Sequence, residues 1–121
     1  MSFRVIIAGS REWGDFGLIE RFCDKVLSRK IEAGEDITIL SGHCRGVDLL
    51  GERYARARGF QVECYPADWN RHGRRAGHIR NEMMAQRAEA LIAIWDGQSR
   101  GTKDMIELAR KYGLLVRICR V

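Results

Sequence analysis

Apolar positions along the chain fall into two rhythms, and the changes between them mark the elements. Phe3 to Gly9 (FRVIIAG) is a short apolar run rich in β-branched residues and closed by glycine, the pattern of a buried strand. From Gly17 to Ala33 apolar residues recur at Leu18, Ile19, Phe22, Val26, Leu27 and Ile31, a helix face with a period near 3.6. Gly34 supplies a stop, and Asp36 to Leu40 (DITIL) predicts a second buried strand. Val47 to Arg58 is helical again, with Leu50, Tyr54 and Ala57 on one face and Gly59 at its end. Phe60 to Tyr65 alternates apolar with polar residues and predicts a half-exposed edge strand ended by Pro66.

Ala67 to Gly77 has no regular period and reads as a surface loop. Gly77 to Ala88 is expected to be helical with Ile79, Met83 and Met84 inward, and Ala90 to Trp95 (ALIAIW) is a fourth strand, apolar throughout and so central. Thr102 to Tyr112 repeats the helical pattern, with Thr102 as N-cap and Asp104 near the positive end of the dipole. Gly113 stops it, and Leu114 to Cys119 makes a last strand, marked as an edge by Arg117 and Arg120. Five strands alternating with helices predict a single α/β domain over residues 1–121, a Rossmann-like three-layer fold with a five-stranded parallel sheet. The most apolar runs are the first and fourth, and the half-polar ones the third and fifth, which fits the order 3-2-1-4-5. Its switch point lies between strands one and four, where ligands sit beyond the carboxyl ends.

Three glycine turns follow apolar runs: Gly9-Ser10-Arg11, Ser41-Gly42-His43-Cys44-Arg45-Gly46, and Asp96-Gly97-Gln98-Ser99-Arg100 leading into Gly101-Thr102-Lys103-Asp104. A chain turning through glycine into a helix offers unpaired N–H groups that attract phosphate, so the turns predict one pocket for a nucleotide-like ligand.

The composition, 45% hydrophobic and 31% charged, is that of a soluble domain, with no run near the roughly 20 apolar residues of a membrane span. Met1 to Arg11 lacks a signal-peptide cleavage site, so a cytoplasmic location is expected and no membrane partner. Cys23, Cys44, Cys64 and Cys119 are widely spaced without a CxxC pair, against a zinc ribbon or a dithiol site; no metal is expected. Reduced buried thiols are the simplest reading, with Cys44 the exception beside His43 and Arg45, a setting that lowers a thiol pKa. The net charge of +5 makes anionic partners plausible, and it is partly localised: between Pro66 and Asn81 stand Arg71, Arg74, Arg75 and Arg80 against one acid, Asp68.

Gly9-Ser10-Arg11 offers close backbone approach, a hydroxyl and a guanidinium that forks onto phosphate; the plainer reading is an ordinary turn with an exposed arginine. It does not match GxGxxG, so no dinucleotide cofactor is expected. In Ser41-Gly42-x-x-x-Gly46-x-Asp48, Asp48 either caps amides or binds a ribose hydroxyl, and His43 is a ligand contact or a bystander. Arg80-Asn81, near the start of a helix, either faces an anion or lies on a solvated face. Arg71, Arg74 and Arg75 read as surface charge, with Trp69 able to stack on a base.

Together these residues resemble the SLOG superfamily, named for its Smf/DNA-processing and LOG groups, and most closely its small bacterial YspA-like, cpYpsA-related members. The carriers are Gly9-Ser10-Arg11, Ser41-Gly42-x-x-x-Gly46-x-Asp48, Arg80-Asn81-x-x-Met84 and Gly97-x-x-x-Gly101-Thr102. The resemblance implies a Rossmann-like sheet whose turns bind nucleotides or relatives of ADP-ribose. Some LOG relatives are phosphoribohydrolases whose motifs pair an arginine-lysine dipeptide with PGGxGTxxE. Here Arg80 matches the arginine, Asn81 replaces the lysine, and Met105 stands at the glutamate. Cleaving an N-glycosidic bond needs a carboxylate, which methionine cannot supply.

The leading expectation is therefore binding or sensing of a nucleotide-derived ligand, with phosphate on the turns at Gly9, Gly42 and Gly101 and with Arg11 and Arg80 as charge partners. Ser10, Ser41, His43, Gly46, Asp48, Asn81, Asp96, Gly97 and Thr102 complete the candidate site. The alternative is a nucleoside-phosphate N-glycosidase using Arg80 with Asp96 or Asp104. A third reading is single-stranded nucleic-acid binding through Trp69, Arg71, Arg74 and Arg75. Relatives of this fold often pair, so a homo-oligomer is a further expectation.

Overall fold

The computed structural model describes residues 2–121. Its elements in chain order are β1 (Phe3–Gly9), α1 (Phe16–Glu32), β2 (Ile37–Ser41), α2 (Val47–Arg58), β3 (Gln61–Cys64), α3 (Trp69–His72), a 3-10 turn (Gly73–Arg75), α4 (Ala76–Arg87), β4 (Ala90–Trp95), α5 (Arg100–Lys111) and β5 (Leu115–Arg120). The five strands form one parallel sheet in the order β3-β2-β1-β4-β5, as the apolar runs predict.

β1 and β4 are central because both faces of each are covered. Val5 and Ile7 enter one core with Ile19, Cys23, Leu27 and Tyr54 from α1 and α2; Ile6 and Ala8 enter the other with Met84, Met105 and Ile106 from α4 and α5. Successive residues of a strand point to opposite faces, so covering both faces demands an unbroken apolar run. Each large aliphatic side chain fully buried this way stabilises the fold by about 1.5–3 kcal/mol. The register brings Val5 opposite Ala90 and Gly9 opposite Ile94, so β1 and β4 end side by side.

Local signals set the helix ends. Asp15 caps α1 by accepting from the Leu18 amide at 3.2 Å, and Gly59 ends α2 with φ 76°, a left-handed conformation that glycine adopts without strain.

Three expectations need correction. Met83, expected inward, is exposed on α4, whose buried face is made by Ala76, Arg80, Asn81, Met84 and Ala85, two polar residues taking inward positions that an apolar period does not register. The segment read as an irregular loop carries α3 and the 3-10 turn, started by Asp68, whose side chain accepts from the Arg71 amide at 3.1 Å. A four-residue helix is too short for periodicity to show. α5 begins at Arg100 behind Ser99, not at an N-cap Thr102; Thr102 lies inside the helix, buried, with its hydroxyl 3.1 Å from that of Ser99.

Candidate functional site

Beyond the carboxyl ends of β1 and β4 lies a cavity of about 480 Å³ whose wall includes Ser10, Arg11, Asp48, Arg80, Thr102 and Met105. The first turn enters it because Gly9 has no side chain: a Cβ there would strike the Ile94 carbonyl and lie 2.8 Å from Val47 Cγ2. Gly46, with φ 82°, lets the second turn pack on the first, since a Cβ would collide with the Ser10 and Arg11 backbone. The Val47 amide then donates to the Ser10 carbonyl at 3.1 Å, locking the two turns together.

The turns spend many of their amides internally. His43 N donates to Ser41 Oγ at 3.0 Å, and Cys44 N to Asp48 Oδ2 at 3.3 Å. Gln98 N and Ser99 N both donate to Asp96 Oδ1 at 2.8 Å, and this holds the Asp96 carboxyl below the usual range. Asp96 thus occupies donors that an incoming anion would otherwise take. The leading amides of α5, at Arg100, Gly101 and Thr102, have no carbonyl one turn earlier within the helix and remain the positive end offered to the cavity.

Arg80 comes from the second turn of α4 and is buried. Its Nη1 donates to the Gly42 carbonyl at 2.7 Å and to the Tyr65 carbonyl at 3.3 Å, and its Nε to Asn81 Oδ1 at 2.9 Å. The guanidinium therefore ties α4 to the ends of β2 and β3 while lining the cavity. Gly42 makes room for it: a Cβ there would sit 2.6 Å from Arg80 Nη1 and 2.8 Å from Asp48 Oδ2. Burial pushes the Asp48 carboxyl up to about 6, against the opposing pull of the Cys44 amide, Arg80 and Arg11. Asp104 is turned away: its Oδ1 lies 2.7 Å from His78 Nδ1 and its Oδ2 accepts from Asn81 Nδ2 at 3.0 Å.

Of the residues singled out in the sequence, Gly9, Ser10, Arg11, Asp48, Arg80, Asn81, Asp96, Gly101 and Thr102 line the cavity. Ser41, Gly42, His43, Gly46 and Gly97 do not; they shape the turns behind it. Gly42 is thus no phosphate seat, because Arg80 stands in front of it. Glu12, Cys44, Met84, Gln98 and Ser99 join the wall without having been singled out as ligand contacts. Cys44 and Glu12 stand within or beside the glycine turns, so proximity to those turns was the available signal.

One cluster of polar side chains escaped sequence reasoning. His43 has a carboxylate partner: Glu52 Oε2 lies 2.7 Å from its Nδ1, and the same oxygen accepts from Ser41 Oγ at 2.7 Å. Glu52 is only 4% exposed although charged. It follows Asp48 by one helical turn, so both acids face the sheet end, and an acid next to the buried face of α2 was the trace left in the sequence.

A family model described as the YspA, cpYpsA-related SLOG family matches residues 3–72, more than half of the chain. The Gene 61 protein of Mycobacterium phage D29 is 34% identical over 119 residues, with 93% of each chain covered. A solved structure of DNA processing protein A from Helicobacter pylori, described for its single-stranded DNA binding mode, matches with TM-score 0.62 and 17% identity over 96% of this chain. The chain spans 64% of that protein's length, and at this identity the likeness concerns the fold.

Proposed function

The chain belongs to the YspA, cpYpsA-related SLOG family, and from that premise we propose that it binds a nucleotide or nucleotide-derived ligand in the cavity between β1 and β4. The observation that carries this reading is the convergence of Arg11, Arg80, the Ser10 hydroxyl and the leading amides of α5 on one concave site at the switch point of the sheet. Phosphate belongs at the α5 end beside Arg11, and Asp48 is placed to accept from a sugar hydroxyl.

Binding is favoured over hydrolysis by the state of the carboxylates. Met105 is buried in the cavity wall, Asp96 is engaged by two amides, and Asp104 is held by His78 and Asn81. If the N-glycosidase alternative operated, Asp48 would be its acid in place of Asp96 or Asp104. Calorimetry against nucleoside mono- and diphosphates and ADP-ribose tests the binding reading, and release of free base from the monophosphates tests the alternative. Absence of heat with the whole panel removes the first; release of free base replaces it with the second.

Single-stranded DNA binding is a second reading, favoured by one surface feature. Trp69, 52% exposed, stands on α3 with Arg71, and Arg74 and Arg75 follow in the exposed 3-10 turn leading into α4. An aromatic face among arginines suits a base and its flanking phosphates. The structural relative described for single-stranded DNA binding supports this reading by analogy of fold.

A further inference from the structure

The β2–α2 turn, α2 and the end of β3 bring three side chains of different chemistry to one point: His43, Glu52 and Cys64. Their donor atoms, His43 Nδ1, a Glu52 carboxylate oxygen and Cys64 Sγ, all lie within 4.8 Å of one another. His43 Nδ1 is 2.7 Å from Glu52 Oε2 and 3.8 Å from Cys64 Sγ. We propose that these three residues form a binding site for a borderline divalent cation of the zinc type, outside the nucleotide cavity and independent of whether that cavity binds nucleotides.

The donor set selects the class of ion. One imidazole, one thiolate and one carboxylate suit Zn²⁺ or Co²⁺, whereas Mg²⁺ and Ca²⁺ require oxygen ligands throughout. Around a tetrahedral zinc, with bonds of about 2.0–2.3 Å, neighbouring donors stand roughly 3.3–3.6 Å apart. The observed pairs bracket that spacing. The His43–Glu52 pair must open, which the metal brings about by replacing the proton between Nδ1 and Oε2, that proton passing to Nε2 of the ring or to water, and Cys64 must close slightly from its exposed position on the edge strand.

Charge also balances. A metal takes Glu52 as carboxylate, His43 as the neutral ring and Cys64 as thiolate, the thiol proton passing to water on binding, so two negative charges meet a dication. Glu52 is already oriented by the Ser41 hydroxyl on the same oxygen, the outer-shell support that ligating carboxylates need. His43 and Cys64 are exposed on the outer side, leaving a fourth position for water. His43 adopts φ 58°, unusual for a residue other than glycine, and its ring lies against Glu52.

The ion would pin a turn that also serves the cavity, because Cys44 and Asp48, one and five residues beyond His43, line it.

Titration of chelator-treated protein with Co²⁺ alone, without oxygen, tests the proposal by visible absorption. The expected result is one equivalent bound with four-coordinate bands and a thiolate-to-cobalt charge-transfer band, displaced by Zn²⁺. C64S should lose the charge-transfer band, and H43Q should bind at least tenfold more weakly, since loss even of a supporting group costs about 10–100-fold. C44S and C119S should keep the band. Cys64 is exposed, so C64S remains folded by circular dichroism and the comparison stands even if replacing buried Glu52 does not give folded protein. No saturable uptake by the wild type, or a charge-transfer band that survives C64S, would overturn the site.

Discussion

Arg80 Nη1 donates to the carbonyl of Gly42 at 2.7 Å, joining a residue of the cavity wall to one 38 positions earlier in the turn behind it. The arginine that sequence and family resemblance mark for a ligand is thus also a structural tie between α4 and the second glycine turn. Its removal leaves the buried Gly42 carbonyl and the Asn81 amide oxygen short of a donor, each worth about 1–3 kcal/mol when left unpaired, and frees the part-buried Tyr65 carbonyl.

Arg80→Lys keeps the charge but cannot reach all three acceptors from one point. It is expected to lower the unfolding free energy by about 2–4 kcal/mol, some of the loss being recovered by water. Urea denaturation measures it. A loss below about 0.5 kcal/mol would mean that the guanidinium is free for ligand and not part of the frame.

Asp48 imposes a pH dependence. Its carboxyl titrates near 6 in the fold, above the about 3.9 of an unfolded aspartate, so the folded state holds the proton more tightly. The associated stability is fully present below about pH 4 and is lost as pH rises through 6, a change on the order of 3 kcal/mol. Asp48→Asn should abolish that slope and be the more stable protein at pH 7. Denaturation midpoints for the two proteins that run parallel from pH 4 to 7 would show the prediction wrong.

The glycines divide by what surrounds them. At Gly46 a side chain meets positive φ and the Ser10 and Arg11 backbone together, so Gly46→Ala should cost about 2–3 kcal/mol. At Gly101 nothing lies within 4 Å of an added Cβ. Gly101→Ala should leave stability unchanged or raise it by up to about 1 kcal/mol. Because Gly101 lines the cavity, the same variant should weaken nucleotide binding if phosphate lies against α5. Thermal unfolding read beside calorimetry separates the two effects, and unaltered affinity would move the phosphate elsewhere.

The second functional reading has its own signature in salt. Neutralising Arg71, Arg74 and Arg75 together should lower the slope of log affinity for single-stranded DNA against log salt by about 2. Trp69→Ala should cost about 1–3 kcal/mol in affinity. Fluorescence anisotropy with a labelled oligothymidine at several salt concentrations gives both quantities. A slope unchanged by the triple substitution would place any DNA contact away from α3.

The sheet order was legible because covering both faces of β1 and β4 leaves uninterrupted apolar runs, while the edges β3 and β5 alternate. Gly9 and Gly46 were legible as turns, although the reason Gly46 must be glycine is a neighbour 36 residues earlier, Ser10, which no local pattern records. Amide capping by Asp48 was one of two readings of the sequence, whereas the internal use of amides by Ser41 and Asp96 was hidden, since a side chain accepting from an amide two or three residues away leaves no period. Glu52 was hidden for a related reason: a lone acid on an amphipathic helix usually faces water, and the partners Ser41, His43 and Arg56 account for its burial.

The pairing of Val5 with Ala90 has a consequence for how the site comes into being. The strand that begins the chain finds its second neighbour only after some 85 residues have intervened, so closing the sheet is a late and entropically demanding event. Until it happens, Arg11 and Asp48 have no opposite wall at Thr102 and Met105. Any molecule that needs both walls recognises the completed fold and discriminates against its precursors, and in binding it holds the two halves of the chain together by mass action.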